Sequence, residues 1–184
     1  TPIRVGKRVA VIGGGNVALD SARCALRLGA ENVTIFYRRT RNEMPARAEE
    51  ISNAEEEGIF FKYLSTPIKF IGDEQGNVKS MVTISMRLCD ADDSGKHRVA
   101  PIEGSEVTFD VDAVIVAIGR TPNPIIQSTT PGLKTHKGGI IASDQSFKTS
   151  IEGVYVGGDI ATGEATVISA MGTGKIAARS IHEY

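Results

Sequence analysis

Apolar and polar positions follow one rhythm up to residue 64 and another from residue 66. Residues 8–12 (RVAVI) form a short β-branched run ended by three glycines. Residues 17–28 (VALDSARCALRL) then carry apolar side chains at helical spacing and stop at Gly29. Residues 32–38 (NVTIFYR) predict a second strand, completing a βαβ unit in which Ala18, Ala22 and Ala25 give the helix a small face for close packing on a sheet. From Pro45 to Glu57 the pattern predicts a proline-led helix with a heavily acidic face, followed by a third strand over residues 59–64 (IFFKYL).

From residue 66 to 111, strand-like runs (PIKFI, VKSMVTISMRL, SEVTFD) alternate with turn signals (GDEQGN, DADDSGKH), which predicts an antiparallel meander laid over the parallel sheet. A last buried strand is expected at residues 112–119 (DAVIVAIG). The fold class is therefore α/β, a Rossmann-like three-layer ββα nucleotide-binding domain. The prolines of RTPNP restrict the residues before them and predict a stiff extended exit. The domains fall at residues 1–121 and 122–184. The second stretch carries a loop, short strands near Gly139 to Ile141 and Val154 to Val156, and a helix from about Thr166 to His182. It is too small to enclose a core of its own, so it is expected to be one edge of a domain whose main part lies elsewhere.

Composition narrows the function. With 41% apolar residues, 23% charged residues and a formal net charge of -1, bulk charge gives no basis for binding nucleic acid or an anionic membrane. Cys24 and Cys89 have no CxxC spacing and are too few for an iron–sulfur cluster, so both are expected to be small buried apolar residues. His97, His136 and His182 are scattered, which predicts no metal site and places them on the surface or in solvated loops. The absence of a long apolar run or signal-like start makes the expected location cytoplasmic. The chain reaches its first glycine loop so early that it reads as part of something larger.

The segment GGGNVA at residues 13–18 fits GxGxxA. Gly13 allows the tight turn, Gly14 and Gly15 keep the loop bare for a pyrophosphate, and Ala18 lets helix and strand pack closely. Phosphates would meet the helix N-terminus at Asn16 and Val17, with the Asn16 side chain as an added donor. The plain alternative is a glycine turn without a ligand. The end of the second strand selects the dinucleotide. A ribose 2′-hydroxyl usually meets an acid there, but FYRRTRNEMPAR offers Arg38 and Arg39, with Arg41 in support, as forked donors to a 2′-phosphate. That favours NADP over NAD; the alternative is a solvated basic turn balanced by the acidic helix. Gly119, at the end of the last strand, either lets a backbone approach the cofactor or simply turns the chain.

Residues 153–175 are also glycine-rich, but the Walker pattern fails because Ser169 stands where its first glycine belongs and Ile176 follows the lysine. In the helix that follows, Val167, Met171, Gly174, Ala178 and Ile181 form one stripe. Gly172 and Gly174 inside it each cost about 1 kcal/mol relative to alanine, which points to close approach of another group. Gly158 and Asp159, read as a strand end, suit a ribityl or ribose hydroxyl. The helix start at Ala165, Thr166 and Val167 offers N–H groups and a dipole to a flavin ring. The alternative is a glycine turn with a capping Asp.

The stretches VAVIGGGNVALDSARCALRLGAENVTIFYRR, EMPAR, PIEGSE, VIVAIGRTPNP and GVYVGGDIATGEATVISAMGTGKIAA together resemble the small subunit of NADPH-dependent glutamate synthase and its flavoprotein relatives. The resemblance implies an NADPH domain inserted into an FAD domain. Gly13, Gly15, Asn16 and Val17 would lie on the pyrophosphate, Arg38 and Arg39 on the 2′-phosphate, and Gly158, Asp159 and Ala165–Val167 toward FAD. It implies an NADPH-dependent FAD oxidoreductase that passes electrons to a partner, of which a large glutamate-synthase-type subunit is the family example. The first FAD fingerprint and a cysteine-rich region are absent from these residues, so the chain is expected to depend on a further FAD and iron–sulfur portion or a separate subunit, and not to turn over alone. Positioning two rings carries hydride transfer, so no catalytic side chain is expected. The rivals are a non-catalytic NADP-binding or assembly module and a thioredoxin-reductase-like enzyme, the latter opposed by the missing CxxC.

Overall fold

The computed structural model describes residues 5–91, 97–136, 138–163 and 166–184. It divides into two compact units, Thr1–Gly119 and Arg120–Tyr184.

In the first unit, β1 (Arg8–Ile12), β2 (Asn32–Tyr37), β3 (Phe60–Tyr63) and β8 (Ala113–Val116) form a parallel sheet in the order β3-β2-β1-β8. The alternation of strand side chains sends β1 into two cores. Val9 and Val11, with Val33 and Ile35 of β2, pack under α1 (Asn16–Arg27) and α2 (Ala48–Glu56) against Ala18, Leu19, Ala22, Ile51 and Ala54. Ala10, Ile12 and Phe36 point the other way, to Met81 and Val111. That second core lies against an antiparallel layer in which β5 (Val78–Ala91) pairs with β4 (Ser65–Gly72), β6 (His97–Pro101) and β7 (Val107–Asp110). The helix–sheet–sheet order is the three-layer ββα arrangement that the pattern predicts.

Two ionic clusters hold the edges. Arg23 of α1 reaches Glu50 at 2.7 Å and Glu57 at 2.8 Å, and Arg27 reaches Glu57 at 2.9 Å. Part of the acidic face expected to be solvated thus ties α2 to α1. The Arg23 hydrogen bond, joined by that of Arg27, holds the Glu57 carboxyl down at about 2. At the other edge, Asp112 accepts hydrogen bonds from the N–H groups of Lys7 and Arg8 at 2.9 Å and from the Arg8 side chain at 2.8 Å, joining the starts of β8 and β1.

The Arg8 side chain lowers the Asp112 carboxyl to about 2. Its folded value lies below its unfolded one, so its stabilisation is complete above about pH 4 and is lost as pH falls through about 2. Asp112→Asn should therefore melt below the wild type at pH 7 and converge with it near pH 2, read from thermal melts across the acid range. Parallel curves would remove Asp112 from the acid limb.

Several elements depart from the pattern. The acidic helix starts at Ala48, not at Pro45, because the Ala46 and Arg47 N–H groups are drawn to Gly14 O and Asn16 Oδ1. Strand β6 lies in residues read as a turn and its sequel. Cys24 is exposed and Cys89 half-buried, so neither is the buried apolar residue expected. His97 opens β6 and is half-buried, while His136 and His182 are exposed.

In the second unit the proline-rich exit runs into a helix, α3 (Pro124–Thr129), because Asn123 caps Ile125 N at 3.0 Å and Pro124 takes the first turn. The strands expected near residues 139–141 and 154–156 are only isolated bridges, Thr135 with Ile141 and Lys148 with Tyr155. A four-residue helix, α4 (Asp159–Thr162), precedes α5 (Val167–Glu183). Only Ala177 of α5 is buried among the described residues, and Val167, Met171 and Ile181 of the expected stripe are exposed.

Candidate functional site

The β1–α1 turn divides its glycines by task. Gly13 has φ +144°, and a Cβ there would stand 2.1 Å from the Ala117 carbonyl oxygen. A Cβ on Gly14 would stand 2.6 Å from the Tyr37 ring. Both glycines are buried packing positions. At Gly15 a Cβ would find only Pro45 Cγ, at 3.9 Å, so this residue faces open space. The cap of α1 has no side-chain hydrogen bond and its first turn holds no acid. The N–H groups of Ala18 and Leu19 turn to Gly15 O, whereas those of the exposed Asn16 and Val17 have no partner among the described residues. Asn16 Oδ1 accepts from Arg47 N at 3.1 Å, leaving its amide N–H₂ to donate. A bare loop, unused donors and the positive end of a 12-residue helix fit a pyrophosphate.

The three arginines after β2 differ in their commitments. Arg38 is exposed and has no partner among the described residues. Arg39 is half-buried; its Nε–H donates to His97 O at 2.9 Å and its carbonyl accepts from Leu64 N at 3.0 Å. Arg41 instead pairs with Glu55 at 3.0 Å, and that hydrogen bond raises its pKa. No carboxylate lies at the end of β2; the nearest following acid, Glu43, accepts hydrogen bonds from Thr40 N and Oγ1 in a capping box. Those bonds, the Thr40 hydroxyl first, lower the Glu43 pKa. Tyr37 completes the corner by donating to Glu43 O at 2.7 Å.

Tyr37, Thr40 and Glu43 were given no role from the sequence, and His97 was read only as a surface or loop residue. Only the T-x-x-E spacing at residues 40–43 carried a local signal. Gly119, at φ +91°, is exposed at the end of the first unit.

The second glycine-rich stretch is built differently from the expectation. Asp159 does not end a strand: it is the exposed first residue of α4, and Gly158, at φ +80°, is the cap. Gly158 N donates to Thr173 Oγ1 at 2.7 Å. A Cβ on Gly157 would lie 3.1 Å from Gly174 Cα, so close backbone approach accounts for Gly157, whereas a Cβ on Gly172 or Gly174 would meet nothing within 4 Å, contrary to the close approach expected at those two helix glycines. Thr166 caps α5 by accepting from Ser169 N at 3.2 Å, and Val167 is exposed. Ala165 lies outside the described residues. Arg120, Thr121, Pro122, Ile140, Asp159 and Gly163 line a cavity of about 420 Å³ in this unit.

A parallel sheet backed by an antiparallel layer, with a glycine turn opening a helix, defines a dinucleotide-binding α/β protein. The chain belongs to the pyridine nucleotide-disulphide oxidoreductase family, which it matches over residues 1–174. Over its whole length it is 43% identical to the NADP(+)-dependent formate dehydrogenase subunit beta of Moorella thermoacetica, of which it spans 26%. Over 97% of its length it is 39% identical to the glutamate synthase [NADPH] small chain of Azospirillum brasilense and 36% identical to that of Halomonas elongata, spanning 37% and 38% of them. The resemblance to glutamate synthase small subunits is thereby borne out.

The chain thus spans about a quarter to two fifths of the length of these curated relatives. Among solved structures, thioredoxin reductase of T. acidophilum superposes with a TM-score of 0.74 at 24% identity, over 96% of this chain and 52% of that one. Mycobacterium tuberculosis FprA in complex with NADPH superposes with a TM-score of 0.73 at 20% identity, over 97% and 52%. Both likenesses concern the fold. Among the described residues no helix is long and apolar enough to cross a membrane.

Proposed function

We propose that this chain is the NADPH-binding part of a flavin-dependent oxidoreductase of the glutamate synthase small-chain kind, with residues 1–121 holding NADPH and residues 122–184 closing an FAD-binding domain. The observation that carries this reading is the pairing of an open glycine turn at the start of α1 with Arg38 and Arg39 at the end of β2, where no acid stands. The N–H groups of Asn16 and Val17 would bind the pyrophosphate. Arg38 and the outer nitrogens of Arg39 would take the 2′-phosphate, while Arg41 stays with Glu55. On the FAD side, Gly158, Asp159 and the capped start of α5 at Thr166 and Val167 would bind ribityl and ring atoms. When bound, NADPH supplies a hydride and FAD accepts it. The remaining FAD and iron–sulfur portion and the electron acceptor would belong to a longer chain or a partner.

Calorimetric titration tests the cofactor assignment. NADPH should bind at least about tenfold more tightly than NADH, as one charge-assisted phosphate contact implies. Equal affinities would remove the 2′-phosphate site.

A further inference from the structure

We propose that His97 is a positioning residue for cofactor choice: its carbonyl aims the Arg39 guanidinium, and its own ring holds that carbonyl in place. The proposal rests on the reading that Arg38 and Arg39 receive the 2′-phosphate.

The guanidinium is a rigid planar fork, so fixing one nitrogen fixes its plane. Arg39 Nε–H donates to His97 O at 2.9 Å, and Leu64 N holds the Arg39 carbonyl at 3.0 Å. Its two outer nitrogens have no partner among the described residues, and they are the pair that can meet two phosphate oxygens side by side. An arginine held in this way gives up little freedom when the anion arrives, unlike the exposed Arg38.

The His97 carbonyl lies on a weak stretch of ladder. β5 and β6 pair Leu88 with Val99 and then Ala91 with His97, so Cys89 and Asp90 together oppose Arg98. Such a bulge leaves regular ladder bonds unmade. The His97 ring closes the gap, with Nδ1 3.0 Å from Cys89 O. Facing a carbonyl, Nδ1 carries the hydrogen and donates. Strand β6 is thereby fastened to β5 at the residue whose carbonyl holds Arg39.

The test compares NADPH and NADH affinities in the full chain for His97→Ala, His97→Asn, Arg39→Ala and Arg39→Lys. His97→Ala should weaken NADPH roughly tenfold, the cost of loosening one charged contact, and leave NADH unchanged. His97→Asn, whose amide can still donate to Cys89 O, should recover most of that loss. Arg39→Lys keeps the charge but not the fork, so it should lose NADPH affinity nearly as Arg39→Ala does, and it decides the matter if His97→Ala does not fold. Wild-type NADPH affinity in His97→Ala, an equal loss for both nucleotides, no recovery in His97→Asn, or wild-type affinity in Arg39→Lys would each overturn the positioning role. An unchanged NADPH affinity in Arg39→Ala would instead overturn the underlying phosphate assignment.

Discussion

Gly13→Ala should lower the melting temperature of the chain by roughly 10 °C, through a loss of about 4 kcal/mol. The new methyl would sit 2.1 Å from Ala117 O and 2.8 Å from its carbonyl carbon. Neither strand can yield easily, because Ala117 N is bonded to Ile12 O at 2.7 Å and Gly13 N to Phe36 O at 3.0 Å. At φ +144° the backbone is also one that L side chains rarely adopt. Gly15→Ala provides the contrast. Its methyl meets only Pro45 Cγ at 3.9 Å, and its backbone is extended at φ -90°, so stability should stay within about 1 kcal/mol while NADPH binding weakens. Thermal melting and titration of both variants separate the two roles; a wild-type melt for Gly13→Ala would show that the strand and loop do not meet so closely.

Replacing Arg38 and Arg39 together by alanine should cut NADPH affinity on the order of 100-fold, since each charged hydrogen bond contributes about 1.5–3 kcal/mol. NADH, which lacks the phosphate, should bind within about twofold of wild type, the residual change expected of an unused surface. Arg41→Ala is the internal comparison. Its guanidinium is taken by Glu55 at 3.0 Å, and a pair this exposed contributes little, so it should leave both affinities near wild type. If the double variant keeps the preference for NADPH, the phosphate is read elsewhere.

The sequence showed best what depends on neighbours along the chain. β1, α1 and β2 follow from the β-branched runs, the three glycines and the alanines at 18, 22 and 25, because strand and helix periods are local properties. The antiparallel layer was legible as a layer but not as a pairing. Strand β6 hid behind the turn signals before it, since only the facing strand β5 gives His97–Pro101 a reason to be extended. Helix α3 was misread because Asn123-Pro124 signals an exit and a helix start equally well. At the site, the glycine loop and the arginines could be named from the sequence, but not their partners. That Arg41 belongs to Glu55 and Arg39 to His97 depends on residues 14 and 58 positions away. Asp159 was placed at the end of a strand that the second unit does not form.

Leu64 adopts φ +50° between β3 and β4, the one described residue separating the parallel strand from the antiparallel one. Its N–H reaches back to Arg39, and its carbonyl accepts from Met86 N at 2.8 Å. The glycine turn, too, is finished from far along the chain, because Gly13 packs on Ala117, whose N–H bonds Ile12 O at 2.7 Å only once β8 has joined β1. The bond from Arg39 to His97 O likewise forms only after the chain has closed a loop of 58 residues, and such contacts form late because their closure entropy comes first. A fragment ending before β4 would lack both the strand that backs the glycine turn and the carbonyl that holds Arg39.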